Sequence, residues 1–538
     1  LALLVLLLLG SGALQQAAQA PAAALAVAAA LVGSGWLASR PALRAAREPT
    51  WLLGLGLLLG CALLAVLAWR ERSVVVEGRR WFWLEDDAMV SMRYARRWAQ
   101  GLGFTWSAGP PVEGYSNFLW TVLMGLVHRI QPDPALAPAY ILGLNIAVFV
   151  WLALAVRRLA AALGADALGA ALAGLACAFS ADMLGGVLQG MEGPAVAAVA
   201  AESFAALAAA RRAGRSAPYA AMLWASLLPL LRADGALPAA LISLLFLRHC
   251  GRDRGRFLRG LVLAFAPALV HLAWRHAYYG AWLPNTVSLK SGVWPGKFSG
   301  GFWKAWQGLA AYPLVALAAL AVWRGRLPWL GLLGVLFVYC VWTGPDYFHH
   351  LRYFAAAWPL LFALGYSALP RLAVPLRWRV VLPWLLFFGG CGYGWNLPEL
   401  LQGSWSFAAD RIKVALELSR RVLPGERVAC AWAGTFFYVS GCEGVDLLGK
   451  CDPVVARAPV DPAVTIPGHN RMHLGWSLGV LRPEWVLSEL PVDNGRGLEA
   501  ASFDLKLYTY PLFVRHCLPQ AEVLEGRWAL CRCRWDGA

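Results

Sequence analysis

Charge is scarce in this chain. Charged residues fill 14% of its 538 positions, against about 25% in a soluble globular protein. Lysine is nearly missing from the first 400 residues, where arginine comes in small clusters between apolar stretches. No CxxC pair or Walker phosphate loop is present, so the motif-borne zinc and nucleotide chemistries have no foothold. Internal repeats are lacking too. Nor does any basic stripe interleaved with aromatics follow a polar element, which removes nucleic acid as a partner despite a net charge of +16. What fills the chain instead is apolar: 59% of residues are hydrophobic and the mean hydropathy is +0.55. A chain this long and this apolar cannot bury itself in one soluble core, and the surplus surface needs lipid.

A membrane-crossing helix takes ~20 mostly apolar residues. Candidate spans lie at roughly 1–12, 20–38, 51–69, 135–156, 168–188, 193–210, 218–231, 235–248, 257–275, 305–323, 328–343, 353–370 and 380–396. The reading is a mostly α protein, a polytopic transmembrane bundle of roughly 11–13 spans over 1–403. The chain begins at Leu1 rather than Met, so the first span is expected to be truncated. No small-residue cleavage pattern followed by polar sequence marks a signal peptide there. After Pro398 the composition shifts, and 404–538 reads as a soluble α/β domain. Within it a helix is expected over Asp410–Arg421 and strands over Arg427–Ala431, Gly444–Leu448, Trp485–Glu489 and Trp528–Arg532.

Arginine clusters set the orientation. They fall at 40–47, 157–158, 211–215, 248–259, 324–326 and 371–379, and placing these loops in the cytoplasm makes every alternate loop face outward. The parity holds if 117–131 is a juxtamembrane segment rather than a crossing. The outward side then carries the long loop at about 70–134, Gln189–Glu192, Arg232–Asp234, Tyr278–Gly301, Gly344–Arg352 and the tail. Ionisable residues near lipid mark pathways or sites, and here they collect on one face.

Three groups carry the chemistry. Leu84-Glu85-Asp86-Asp87-Ala88 opens the first outward loop. In a helix starting there, Asp86, Arg93 and Arg97 share one narrow arc while Val90, Tyr94 and Trp98 form an apolar stripe, so the charged arc is expected to face solvent. Acids also favour helix N-termini for capping alone. The second group is Val112-Glu113-Gly114-Tyr115-Ser116-Asn117, read as a turn and helix cap. The third is a set of polar islands: Glu192; Arg232 with Asp234; Arg275; Asn285 with Lys290; and Asp346, His349, His350 and Arg352. Adjacent His side chains in a helix point ~100° apart, so His349–His350 is a poor metal pair.

These motifs resemble a family. Glu85-Asp86-Asp87-Ala88-Met89-Val90-Ser91-Met92-Arg93-Tyr94-Ala95, then Gly101-Leu102-Gly103-Phe104 and Val112 to Asn117, look like the first periplasmic loop of GT-C glycosyltransferases. The mycobacterial terminal β-arabinofuranosyltransferases and their bacterial relatives are the branch most similar. The likeness continues at Gly190-Met191-Glu192, Arg232-Ala233-Asp234-Gly235, Tyr278-Tyr279-Gly280, Leu283-Pro284-Asn285-Thr286, Asp346, Asp446-Leu447-Leu448-Gly449 and Pro467-Gly468-His469, covering about 80–500 in order. The chain departs from the pattern at Ala233, where relatives have Pro, and at Pro345, where they have a second Gly.

The resemblance implies a bacterial inner-membrane transferase taking a sugar, arabinofuranose first among them, from a polyprenyl-phosphate donor. The acceptor would be a hydroxyl of a glycan, lipid or protein on the periplasmic side, in cell-envelope glycan assembly. Asp86 is expected to act as base or to position the acceptor, with Asp87 beside it. Arg93, Arg232, Arg275, Lys290 and Arg352 are expected to meet the departing phosphate, and Glu113, Tyr115, Asn117, Glu192, Asp234, Asn285, Asp346, His349 and His350 to line the substrates. No cofactor follows from these residues; some relatives use a divalent ion, and the sequence leaves that open. A transporter or flippase of lipid-linked glycan is the rival reading, but it would show repeats and mid-span charges. A membrane-anchored scaffold would leave the acidic cluster without a purpose. Finally, six of eleven cysteines (Cys430, Cys442, Cys451, Cys517, Cys531, Cys533) crowd into the tail, where an oxidising compartment implies disulfides. Cys517 is expected to pair with Cys531 or Cys533, and another bridge to form among Cys430, Cys442 and Cys451.

Overall fold

A computed structural model describes residues 50–321, 326–346, 351–372, 381–387, 405–462, 464, 468–490, 492–493, 498–499, 506–523 and 528–535. The expected spans 1–12 and 20–38, most of 380–396, and His349 and His350 lie outside them.

Long apolar runs without interior charge become long helices. Helix α1 (Thr50–Glu71) is followed by a hairpin of β1 (Ser73–Val76) and β2 (Arg79–Phe82), then α2 (Asp86–Ala99), α3 (Phe118–Ile130) and α4 (Ala137–Ala162). Next come α5 (Ala167–Ala178), α6 (Ala181–Gln189), α7 (Gly193–Arg212), α8 (Tyr219–Ala225), α9 (Ala236–Cys250), α10 (Arg254–Tyr279), α11 (Asn285–Lys290), α12 (Lys297–Ala310), α13 (Pro313–Ala321), α14 (Leu327–Thr343) and α15 (Trp358–Ala368). Among the described residues five helices are long and apolar enough to cross a membrane, or six when the pair α5–α6, bent by 49°, is counted as one broken span. This is a membrane protein.

Several expected spans are shorter than a crossing. Residues 305–323 split into α12 and α13 because Pro313 cannot continue the preceding turn. The 218–231 stretch breaks after Ala225, and 353–370 begins only at Trp358. Helix α3, at 13 residues, is about 20 Å long and cannot span ~30 Å of hydrocarbon.

Packing follows side-chain size. Helix α7 is alanine-rich and buried along most of its length against α4. Gly174 of α5 sits where a Cβ would meet the Ala153 carbonyl oxygen at 2.3 Å, so these backbones cross at a distance only glycine permits. By contrast Leu58, Val66, Leu258, Leu269 and Val270, on α1 and α10, remain exposed. That is the arrangement lipid stabilises and water does not.

The C-terminal unit starts with α16 (Trp405–Arg421) and contains β3 (Arg427–Cys430), α17 (Thr435–Ser440), β4 (Glu443–Asp446), β5 (Trp485–Glu489), β6 (Cys517–Val523) and β7 (Trp528–Cys533). Its sheet runs β4-β3-β5-β7-β6, with β3 parallel to both neighbours and β7 antiparallel to β5 and β6. The four strands expected from the sequence are present within two residues at each end, and the expected helix ends at Arg421 but begins five residues earlier, at Trp405. Cys517 is bonded to Cys533 across β6 and β7. Cys442 and Cys451 are thiols, so the second bridge expected among Cys430, Cys442 and Cys451 is not formed.

The unit is not an appendage. Ile412, Leu418, Phe436, Phe437 and Tyr438 belong to the same hydrophobic core as α2, α3 and α4. In consequence the arc of Asp86, Arg93 and Arg97 does not face solvent. All three side chains are buried under the C-terminal unit. Arg93 donates to the carbonyls of Phe437 (2.9 Å) and Cys442 (2.9 Å), and Arg97 pairs with Glu443 at 3.1 Å. Periodicity placed the three residues on one face, and tertiary packing chose what that face meets.

Candidate active site

Asp86 and Asp87 are neighbours in sequence and face different partners. The Asp86 carboxylate accepts from Thr435 N (2.9 Å) and Thr435 Oγ1 (3.0 Å), and Arg411 lies 3.5 Å away. It satisfies the start of α17 as a capping group does. Gly434 allows this approach, since a Cβ there would lie 2.7 Å from the carboxylate. With its Oδ1 held by two donors, Asp86 ties α2 to the C-terminal unit.

Asp87 points into a cluster of charge. It pairs with Lys450, and Arg352 donates to it at 3.0 Å. Burial alone would raise its pKa, but Lys450, Arg352 and Lys290 together hold the carboxyl well below the usual range. Arg352 also grips Asp346 through two bonds, of 2.6 and 3.0 Å, the fork geometry that orients a guanidinium. Asp182 fixes the backbone beside it, accepting from Leu351 N (2.8 Å) and from Tyr312 OH (2.6 Å).

A second guanidinium stands next to the first. Arg232 leaves helical conformation (φ −152°, ψ 139°) at the break before α9. That break forms with Ala, not Pro, at position 233. Arg232 binds Asp234 bidentately at 2.9 and 2.9 Å, approaches Glu192 at 3.6 Å, and donates to the Arg352 carbonyl at 3.3 Å. The Tyr353 ring lies under both guanidinium groups, 5.1 Å from Arg232 and 5.4 Å from Arg352. Lys290 Nζ donates to the Tyr353 hydroxyl at 3.4 Å, and no carboxylate lies within 4.0 Å of it among the described residues. Arg232, Arg352 and Lys290 thus meet at one aromatic ring, and Lys450 joins them through Asp87.

The remaining sequence-singled residues build the frame. Asn117 donates to Glu192 at 2.9 Å and accepts from Ser91 at 2.9 Å, which locks the first loop to the Gly190–Glu192 turn. Glu113 meets Arg275 at 2.6 Å, and burial pushes its carboxyl up to about 7 against that guanidinium's pull. Tyr115 and Tyr279 share a hydroxyl contact of 3.1 Å. Arg275 is thus paired with Glu113, and Arg93 binds backbone carbonyls of the C-terminal unit.

Lys450 was not singled out by sequence, and its placement has a cause. Asp446 accepts from the N–H groups of Leu448, Gly449 and Cys451 (3.0, 3.1 and 2.7 Å), curling the chain around Gly449 at φ +81°. Asn285 then donates to the carbonyls of Gly449 (2.8 Å), Lys450 (3.0 Å) and Asp452 (3.2 Å). The doubly tied loop carries Lys450 into the bundle. Its adjacency to the Asp446–Gly449 motif was the one available signal.

No group of three or more His, Cys, Asp or Glu among the described residues is placed to hold a metal ion. The carboxylates here are already matched by guanidinium and ammonium groups, a donor set that does not fit a divalent cation.

The backbone resembles solved membrane proteins. ArnT from Cupriavidus metallidurans bound to undecaprenyl phosphate matches with a TM-score of 0.58 at 13% identity, covering 89% of this chain and 98% of that one. ArnT in the apo state matches at 0.57 and 14%, over 90% and 98%. The oligosaccharyltransferase of Archaeoglobus fulgidus in the apo form matches at 0.51 and 12%, over 81% and 69%. The chain has the GT-C fold. No family model matches it, and neither does any curated protein sequence. In this GT-C bundle the loops expected to face outward do meet: Asp87, Glu192, Arg232, Lys290 and Arg352 gather with Lys450 of the tail at one end.

Proposed function

We propose that this chain is a membrane glycosyltransferase that moves a sugar from a polyprenyl-phosphate donor to an acceptor hydroxyl. The observation that carries the reading is the gathering of Arg232, Arg352, Lys290 and Lys450 around Tyr353 and Asp87 at one end of an apolar bundle. A polyprenyl chain partitions into lipid, so its phosphate arrives at such a membrane-surface site. Cationic donors held in place are stronger for the phosphate as its negative charge grows during C–O cleavage. The likeness to ArnT bound to undecaprenyl phosphate supports the same donor class here.

In this reading Lys290 meets the phosphate first, because no carboxylate competes for it. Arg352 and Lys450 shift part of their hydrogen bonding from Asp87 to the departing group. Asp87, ionised before the transfer, orients the acceptor hydroxyl and takes its proton, becoming neutral, as the new bond forms and the polyprenyl phosphate leaves. Being held well below the usual carboxylate range, it is a weak base, and orientation is its larger contribution. The sequence resemblance to the terminal β-arabinofuranosyltransferases supports arabinofuranose as the sugar. A bacterial inner-membrane location, with the site and the C-terminal unit periplasmic, is supported by arginine clusters at the opposite ends of the helices and by the Cys517–Cys533 disulfide.

Reconstitution in proteoliposomes with polyprenyl-phosphoryl sugars, arabinofuranose first, tests the proposal. Release of free polyprenyl phosphate coupled to glycosylation of the acceptor is the expected outcome. Donor movement across the bilayer without cleavage would instead support the flippase reading.

A further inference from the structure

The bundle has a second polar cavity, at its other end. It has a volume of about 410 Å³ and lies where the C-terminal end of α7 meets the C-terminal end of α9 and the start of α14. Helix geometry places it. Glu192 and Arg232 of the candidate active site stand at the N-terminal ends of α7 and α9, whereas Arg211 and Arg248 stand at their C-terminal ends. Helix α14 runs the opposite way, from Trp329 at the cavity to Gly344 near Asp346. The 20 residues of α7 span about 30 Å, one hydrocarbon thickness. The cavity thus opens at the opposite membrane surface from the site.

Its walls are of two kinds. Arg211, Arg215 and Arg248 supply cationic donors, while Leu207, Leu245 and Trp329 form the apolar side. The nearest acids along these elements are committed elsewhere: Glu202 pairs with Arg158, and Asp253 with Arg256 at 2.8 Å. Among the described residues no carboxylate lies within 4.0 Å of the three arginines. Arg326, just before α14 and outside the cavity lining, is buried and donates to Ser367 Oγ (2.9 Å) and the Leu163 carbonyl (2.6 Å). An exposed arginine cluster could be a plain solvated face. A concave one, half-lined by apolar side chains at a membrane surface, matches an amphiphile: a phosphate on the guanidinium side and a glycerol–acyl junction on the leucine side.

We propose that this cavity is a binding site for an anionic phospholipid of the leaflet opposite the candidate active site. Guanidinium groups bind phosphate oxygens in pairs, and basic pockets between transmembrane helices recognise anionic headgroups. Because three helices link the cavity to the site, an occupying lipid would brace the same elements that carry Glu192, Arg232 and Asp346.

The test compares thermal unfolding of the full-length protein in nanodiscs of dioleoyl-phosphatidylcholine with and without 20% dioleoyl-phosphatidylglycerol. The expected result is a Tm higher by about 3 °C or more with the anionic lipid. At least half of that gain should disappear in the Arg211→Gln, Arg215→Gln, Arg248→Gln variant, and most should survive in the triple Arg→Lys variant. Should the triple glutamine variant not fold, Arg248→Gln alone must still lower the number of phosphatidylglycerol molecules retained in native mass spectrometry. Equal gains in wild-type and variant, or no gain over phosphatidylcholine, overturn the proposal. A gain fully reproduced by 10 mM inorganic phosphate in phosphatidylcholine discs overturns it as well, since the ligand is then a free anion and not a lipid.

Discussion

Lys450 of the C-terminal unit forms an ion pair with Asp87 of α2, 363 positions earlier in the chain. The pair joins the C-terminal unit to the candidate site, so the bundle alone does not contain all of its charged groups. Burial disfavours the Lys450 charge, yet Asp87 and Asp86 outweigh it and raise its pKa. A charge pair this far from bulk water is stable only when each partner has further hydrogen bonds. Arg352 provides them for Asp87, and the Asn285-tied loop holds Lys450 in place.

Asp87→Asn is expected to lower kcat by about 10²–10⁴ while leaving Tm within a few degrees. Asp86→Asn should do the reverse, costing about 1.5–3 kcal/mol of stability through weakened bonds to Thr435 and changing kcat only a few-fold. Steady-state transfer rates and thermal melts on both variants decide. A dead Asp86→Asn enzyme of normal stability would return the role to Asp86.

Lys450→Met should reduce kcat by about 10–10³, with Lys450→Arg recovering part of the loss. Asn285→Ala acts on the same group from a distance, by loosening the loop that holds Lys450. Its signature is a lower kcat combined with faster proteolysis or amide exchange at 449–452. Unchanged exchange in Asn285→Ala would remove the positioning role.

The pH dependence has a definite sign. Asp87 is held well below its ordinary pKa of 3.8, so its contribution to stability is complete above that value and is lost as pH falls toward the folded one. Over pH 5–8 it stays ionised, and the ratio of wild-type to Asp87→Asn rates should be flat. A wild-type limb near pH 7 that Glu113→Gln abolishes would instead assign proton uptake to Glu113, whose carboxyl is pushed up to about 7.

Peptide mapping without reductant should recover Cys517 joined to Cys533, with Cys442 and Cys451 alkylated. Replacing both bridge residues by Ser should cost about 3 kcal/mol for a loop of this size. Recovery of Cys517 and Cys533 as thiols from freshly prepared membranes would remove the bridge and weaken the periplasmic placement.

Topology is checked at two exposed points. A Cys introduced at Leu423, in the C-terminal unit, should react with a membrane-impermeant reagent in intact spheroplasts. One introduced at Arg252, between α9 and α10, should react only after lysis. The reverse pattern would turn the bundle over.

What the sequence determined by itself is what depends on short range. Apolar runs without charge specify helices and a lipid environment, and alternation between turns specified the strands at Trp485–Glu489 and Trp528–Cys533. The 100° step put Asp86, Arg93 and Arg97 on one face, and short polar islands marked Glu192, Arg232, Asn285 and Arg352. Tertiary structure alone decided which of two adjacent carboxylates faces the other charges, because a single helical step separates a cap on α17 from a contact with Arg352. It also decided that Lys450 joins the site. Local periodicity records the direction of a side chain relative to its own helix. The partner in that direction depends on how a distant sheet docks, and in this protein the docking is set by a shared core between residues more than 300 positions apart.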